Sequence, residues 1–216
     1  MDEERYAEQM VRYMAERDFG IYMRYINPEL EMTKCHRSYY AILNKFAHKE
    51  IRKLIISAPP QFGKSLGSSR GLPSFLMGTR PSDNIVIGSY NTELARTFNS
   101  DVQRMMREEA YGAVFPYTII SDGRENREYK CNADETQVVG EDGSGLRVVG
   151  RGSSLTGRKV DVMIMDDLYK DYNEASSPIV RSKTWRWYTS VVLSRLQDWG
   201  QQLMVFTRWN EDDLIG

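Results

Sequence analysis

Ser57-Ala58-Pro59-Pro60-Gln61-Phe62-Gly63-Lys64-Ser65 is the stretch from which the fold of this chain can be read. Leu54-Ile55-Ile56 precedes it, apolar and β-branched, and reads as a short buried strand. From Leu66 onward a helix can start. Gly63-Lys64-Ser65 therefore falls at a strand-to-helix turn, as the second half of a phosphate-binding loop, G-x-x-x-x-G-K-[ST]. In such a loop the backbone curls so that its N–H groups face an anion, and the following helix adds its positive dipole end. Lys64 would reach the β- and γ-phosphates of a nucleotide, and Ser65 Oγ would ligate Mg²⁺. The loop departs from the pattern at Ala58, where the first glycine belongs. Pro59 and Pro60 then remove two backbone donors and stiffen the turn.

A partner for this loop appears about a hundred residues later. Val160-Asp161-Val162-Met163-Ile164-Met165 reads as a central strand and ends in Asp166-Asp167. Adjacent carboxylates at the carboxyl end of a strand beside a phosphate loop divide two tasks. Asp166 would hold Mg²⁺ opposite Ser65, and Asp167 would orient or deprotonate an attacking water. Thr207-Arg208-Trp209 ends the last strand, Gln202 to Thr207. A hydroxyl there can sense a γ-phosphate and a neighbouring arginine can relay its loss, but by chemistry alone a plain strand end with a surface tryptophan is the better reading.

Between these motifs the chain alternates strand and helix. Asn84-Ile85-Val86-Ile87-Gly88-Ser89 is a second buried strand, and Asn91 or Thr92 caps a helix carrying Leu94, Phe98, Val102, Met105 and Met106. The helix after the phosphate loop runs to about Met77, with Pro73 expected to kink or end it early. Residues 128–149 alternate and carry glycines, which fits short strands and a hairpin at a sheet edge. A further helix starts at about Ser177, with Pro178 in its first turn. The pattern β-α-β-α argues for an α/β fold with a mainly parallel central sheet flanked by helices.

Residues 1–50 read as a helical N-terminal segment. One helix spans 2–17, its first turn carrying Asp2, Glu3 and Glu4, with Gly20 as its stop. Tyr6, Met10, Tyr13 and Met14 recur at helical spacing and read most simply as a core face, with a binding groove as the second reading. A second helix runs from about Thr33 to Lys49, with Tyr39, Leu43 and Phe46 on one face. His36 at its start is either a helix-terminal polar residue or a lid over an adenine.

Composition narrows the classes. The chain has 216 residues, 41% apolar and 27% charged, with a net charge of −1. That describes one globular α/β domain with no global basic field, so any nucleic-acid contact must be a local patch. Residues 177–197 supply a candidate: Arg181, Lys183, Arg186 and Arg195 interleaved with Trp185, Trp187 and Tyr188. They suit a phosphate backbone or a neighbouring subunit, or else the aromatics are core and the cations solvated. Cys35 and Cys131 are the only cysteines and His36 and His48 the only histidines, which argues against a disulfide framework or a His-rich metal site. No apolar run reaches the roughly 18 residues of a membrane span.

Pro59-Pro60-Gln61-Phe62-Gly63-Lys64-Ser65 resembles the PPxxGKS loop of tailed-phage terminase large subunits. Gly88-Ser89-Tyr90-Asn91-Thr92-Glu93-Leu94-Ala95 is similar to the segment after their second core strand. Leu155-Thr156-Gly157-Arg158, Asp161 and Ile164-Met165-Asp166-Asp167 are similar to their LTGR…D…IIDD element, and Thr207-Arg208-Trp209-Asn210-Glu211-Asp212-Asp213-Leu214 to their TRWxxxDL element. The resemblance covers about residues 30–216. It implies a P-loop NTPase fold of the ASCE type, over 51–216, and an ATP-driven motor that threads double-stranded viral DNA into a procapsid. ATP and Mg²⁺ would be its cofactors. Pro60, Gln61, Phe62, Gly63, Lys64 and Ser65, with His36, would contact ATP. Ser65 and Asp166 would serve the metal, and Asp167 would be the catalytic carboxylate, where many relatives have Glu; Asp171 or Glu174 are substitutes. Arg158, or failing it Arg151, would be an arginine finger, and Thr207-Arg208-Trp209 the coupling motif. The implied partners are double-stranded DNA, a portal ring, a small terminase subunit and further copies in a ring, with no membrane. The implied place is the host cytoplasm at the procapsid portal and not the mature virion. Relatives usually continue into an RNase H-like nuclease domain, so these residues are expected to be the ATPase part without nuclease activity. A helicase-like ATPase and a nucleotide binder without turnover are the competing readings.

Overall fold

The computed structural model describes residues 3–141, 143–155, 157 and 159–216. The chain opens with three helices, α1 (Glu3–Ala15), α2 (Phe19–Ile26) and α3 (Lys34–Ala47). Strand β1 (Lys53–Ser57) and the Gly63-Lys64-Ser65 turn follow. A π-helical turn, Leu66–Gly71, then runs into α4 (Leu72–Thr79). Next come β2 (Asn84–Ser89), α5 (Thr92–Arg107), α6 (Glu109–Val114), β3 (Glu135–Thr136), β4 (Gly145–Gly150) and β5 (Val160–Asp166). Two short helices, α7 (Tyr172–Ser176) and α8 (Pro178–Trp187), lead through a second π-turn at Tyr188–Val192 to β6 (Leu196–Phe206).

The six strands form one sheet in the order β1-β6-β5-β2-β4-β3. All pairings are parallel except that of β3 with β4 at the edge. Strand β6, last in sequence, therefore inserts between β1 and β5. Because the strands run the same way, the carboxyl ends of β1, β5 and β6 open onto one side of the sheet, where open α/β sheets bind ligands.

Period-two alternation divides the core. Ile85, Ile87, Val162, Ile164, Leu203 and Val205 face one cluster, built with Phe19, Tyr22, Leu43, Phe75 and Phe98 of the helices. Val86, Met163, Met165, Met204 and Phe206 face the other, capped by Trp187 and Val192. The first cluster is tied by aromatic contacts, Phe19 to Phe75 at 5.6 Å and Tyr22 to Phe75 at 5.2 Å between ring centroids. Cys35 and Cys131 are free thiols. Among the described residues no helix is long and apolar enough to cross a membrane.

Several expectations are corrected. β1 is an edge strand rather than a buried one: only β6 flanks it, and Ile55 is 56% exposed. Gly20 does not stop the first helix. That helix ends at Ala15, and Asp18 caps a separate α2 by accepting from the Ile21 N–H, so Gly20 lies inside a helix. Asp2 lies outside the described residues. The Tyr6, Met10, Tyr13, Met14 stripe is not a core face. All four are exposed, because α1 seats itself through Ala15 and leaves its apolar stripe uncovered. Pro73 does not end its helix. The preceding π-turn already shifts the backbone register, with Leu72 N–H donating to the Gly67 carbonyl, so Pro73 sits in the first turn of α4, where no donor is needed.

Candidate functional site

Three distant segments meet at the carboxyl ends of the parallel strands. Lys64, after β1, sends its Nζ to Asp167 Oδ2 at 2.9 Å and to Thr207 Oγ1 at 2.7 Å. The Thr207 backbone N–H donates to Asp167 Oδ1 at 2.7 Å. Lys64 is buried and Asp167 is 29% exposed, so the pair lies at the floor of an open site. The sheet order explains the meeting: β6 separates β1 from β5, so Thr207 stands between Lys64 and Asp167. Asp167 has φ +43°, a left-handed backbone that costs an L residue about 1 kcal/mol and is held here by its two partners.

Asp166 is buried and faces the helix side. Ser69 Oγ donates to its Oδ2, while Oδ1 has no hydrogen-bond partner among the described residues. Burial pushes this carboxyl up to about 6; the Ser69 hydroxyl, the Ser65 hydroxyl and the Lys64 charge pull it back, against repulsion from Asp167. An orphaned, buried carboxylate oxygen near a serine hydroxyl suits a divalent cation or the water bound to one. Among the described residues no group of three or more His, Cys, Asp or Glu side chains could hold a metal unaided.

The loop is shaped by its glycine and braced from α3. Gly63 has φ +70°, and a Cβ there would come within 3.3 Å of His36 Nε2. Gln61 is also left-handed, at φ +64°, and Pro60, Gln61 and Phe62 are exposed. Tyr39 Oη donates to the Lys64 carbonyl at 2.5 Å, and Ser68 Oγ to the same carbonyl at 2.8 Å. Burial pushes the Tyr39 phenol up, which keeps it a donor. The helix after the loop approaches α3 closely, since a Cβ on Gly67 would lie 2.7 Å from ring carbons of both Tyr39 and Tyr40. Between α3 and the loop lies a cavity of about 160 Å³ lined by Cys35, His36, Tyr39, Ile56, Ala58, Phe62 and Lys64. His36 closes a capping box with Thr33, as its helix-terminal reading has it, and also lines this cavity. A larger cavity, about 740 Å³, lies among α1, α2 and α3.

A family model, terminase large subunit, T4likevirus-type, N-terminal, matches residues 55–213. The chain belongs to this family. The match spans β1 to the segment after β6 and includes every residue of the Lys64, Asp166, Asp167 and Thr207 cluster; the N-terminal helices lie outside it. A comparison with curated proteins finds no match. Membership points to a role in DNA packaging, in a family generally associated with ATPase activity.

The remaining family-motif residues are dispersed. Arg208 is exposed and turns to the Glu211 carbonyl, and Trp209 joins a loop closed by buried Asp213, which accepts from the Trp209 and Asn210 N–H groups. Of Thr207, Arg208 and Trp209 only the Thr207 side chain enters the site. Thr156 and Arg158 lie outside the described residues. Arg151 is committed elsewhere, to Glu174 at 3.0 Å and to the Leu168 carbonyl. Glu174 is thereby engaged, and Asp171 caps α7 by accepting from the Glu174 N–H. The basic-aromatic stretch divides: Trp187 is core and donates to the Ser153 carbonyl, whereas Trp185 is 57% exposed.

Sequence reasoning did not single out Ser69, Ser68 or the contact from Tyr39. Ser69 stands four residues after Ser65 and so returns to the same side of a helix, a spacing that could have marked it. Nothing in the sequence announces that Tyr39 reaches back to the loop.

Proposed function

We propose that this chain is the ATP-hydrolysing motor part of a viral DNA-packaging terminase, with a P-loop NTPase fold of the ASCE type. The observation that carries the reading is the convergence of Lys64, Asp167 and Thr207, from three parallel strands, on one contact. The insertion of β6 between β1 and β5 supports the fold assignment. Such a cluster has a use in hydrolysis and little in passive binding. Lys64 is the cation of the loop and would leave Asp167 for the β- and γ-phosphates. Asp167 would then be released to orient a water, and Thr207, bonded to both, would register the exchange. Ser65 and Asp166 would hold Mg²⁺, which supplies charge neutralisation at the phosphates. His36, Tyr39 and Phe62 would border the base. Arg158 remains our candidate for a finger acting on a neighbouring copy. Double-stranded DNA, a portal ring and a small terminase subunit are the proposed partners, at the procapsid in the host cytoplasm.

Steady-state ATP hydrolysis by wild type and Lys64→Ala tests the reading. Hydrolysis by wild type, lost in a folded Lys64→Ala variant, is expected. Equal turnover in the two would remove the nucleotide site from this loop.

A further inference from the structure

The π-turn after the loop contains four buried residues, two of them serines. Ser68 braces the Lys64 carbonyl, and its Oγ lies 3.2 Å from Ser69 Oγ. Ser69 is fully buried and donates to Asp166 Oδ2. The other oxygen of Asp166, also buried, has no partner among the described residues. An aspartate side chain with one oxygen fastened has its carboxylate plane set, and its second oxygen keeps a fixed aim. π-turns are rare and occur frequently at functional sites.

We propose that Ser69 is a positioning residue: it locks the Asp166 carboxylate so that Oδ1 is the oxygen presented to a divalent cation, or to that cation's bound water. This rests on the nucleotide-site reading and deepens it, because Ser69 itself touches neither nucleotide nor metal. The lock is mechanical. The hydroxyl bond removes one rotational freedom of Asp166 before a cation arrives, and it occupies only Oδ2, leaving Oδ1 open. The same turn carries Ser68 on the lysine carbonyl, so the cation's carboxylate and the phosphates' lysine are held by adjacent residues of one rigid segment.

The test is binding of a fluorescent ADP analogue, titrated with Mg²⁺ and, separately, in chelator. Four proteins are compared: wild type, Ser69→Ala, Ser69→Cys and Ser69→Thr, each checked for fold by thermal unfolding. Ser69→Ala should raise the Mg²⁺ concentration for half-maximal effect about tenfold, the amount expected for a hydrogen bond to a charged group. Binding in chelator should stay within about twofold of wild type. Ser69→Cys, nearly the same volume with a weak donor, should follow alanine and keeps the test available if the alanine variant does not fold. Ser69→Thr retains the hydroxyl and should restore the wild-type midpoint. A wild-type Mg²⁺ midpoint in Ser69→Ala or Ser69→Cys would overturn the proposal. So would an equal loss with and without Mg²⁺, or a folded threonine variant that fails to rescue. A wild-type protein that shows no Mg²⁺-dependent nucleotide binding would refute the nucleotide-site reading itself and take this proposal with it, a result distinct from the others.

Discussion

Asp166→Asn should gain stability relative to wild type as pH rises to neutral in the nucleotide-free protein, even though it removes a residue assigned to the metal. The Asp166 carboxyl is 1% exposed and is pushed from 3.8 up to about 6, chiefly by burial. The folded state therefore binds this proton more tightly than the unfolded chain does. The group's contribution is full below pH of about 3.8 and is lost as pH rises through about 6. The shift of roughly 2 units corresponds to about 3 kcal/mol lost above pH 7, with about 1 kcal/mol already lost at pH 4.5. Asparagine retains an oxygen to accept from Ser69 and has no charge to bury. Its N–H₂ takes the place of an unpartnered oxygen, a penalty that does not vary with pH. The difference between variant and wild type should thus shift by about 2 kcal/mol in the variant's favour between pH 4.5 and 7.5. Urea denaturation of both proteins at those two pH values, in chelator, measures it. A difference that does not change with pH, or one that grows against the variant as pH rises, would show that Lys64 and the serines outweigh burial and would refute the reasoning.

Asp167→Asn should abolish turnover but keep nucleotide binding, tighter by up to about fivefold because the part-buried Lys64 pair no longer competes with the phosphates; filter binding beside a turnover assay checks it, and weaker binding would show that Asp167 helps hold the nucleotide. Gly67→Ala would drive a methyl to 2.7 Å from the rings of Tyr39 and Tyr40. A cost of about 1–3 kcal/mol and a fall in Tm of several degrees should follow, and an unchanged melting curve would show that α3 is free to move away. For Lys64→Ala the expected loss of hydrolysis should come without a comparable fall in Tm, since the lysine's partners face open solvent on one side.

The parallel sheet and most of its strands were legible because the central strands carry short apolar runs, Ile85–Ile87, Val162–Met165 and Leu203–Phe206, and because turn and cap residues such as Asn91 and Ser177 stand where the helices begin. The meeting of the motifs has a physical reason: a parallel sheet brings the ends of β1, β5 and β6 together, so residues at strand ends converge. What could not be read depends on neighbours far along the chain. Ile55 looks like a core residue, and only the sheet order reveals an edge. The Tyr6–Met14 stripe has helical period, but period states that one face is apolar without stating what covers it. Pro73 looks like a breaker until the π-turn before it is known. Ser69 is an ordinary helix serine except for the carboxylate 97 residues away that its hydroxyl meets.

The central claim is that Lys64 exchanges Asp167 for phosphate. The most direct measurement is a structure of the protein bound to Mg²⁺, ADP and a trifluoroberyllate mimic of the γ-phosphate. The account predicts Lys64 Nζ on the β- and γ-phosphate positions, no longer on Asp167, with Asp167 facing the mimic and Asp166 Oδ1 turned to the cation. A nucleotide bound elsewhere, with Lys64 still joined to Asp167 and Thr207, would contradict it.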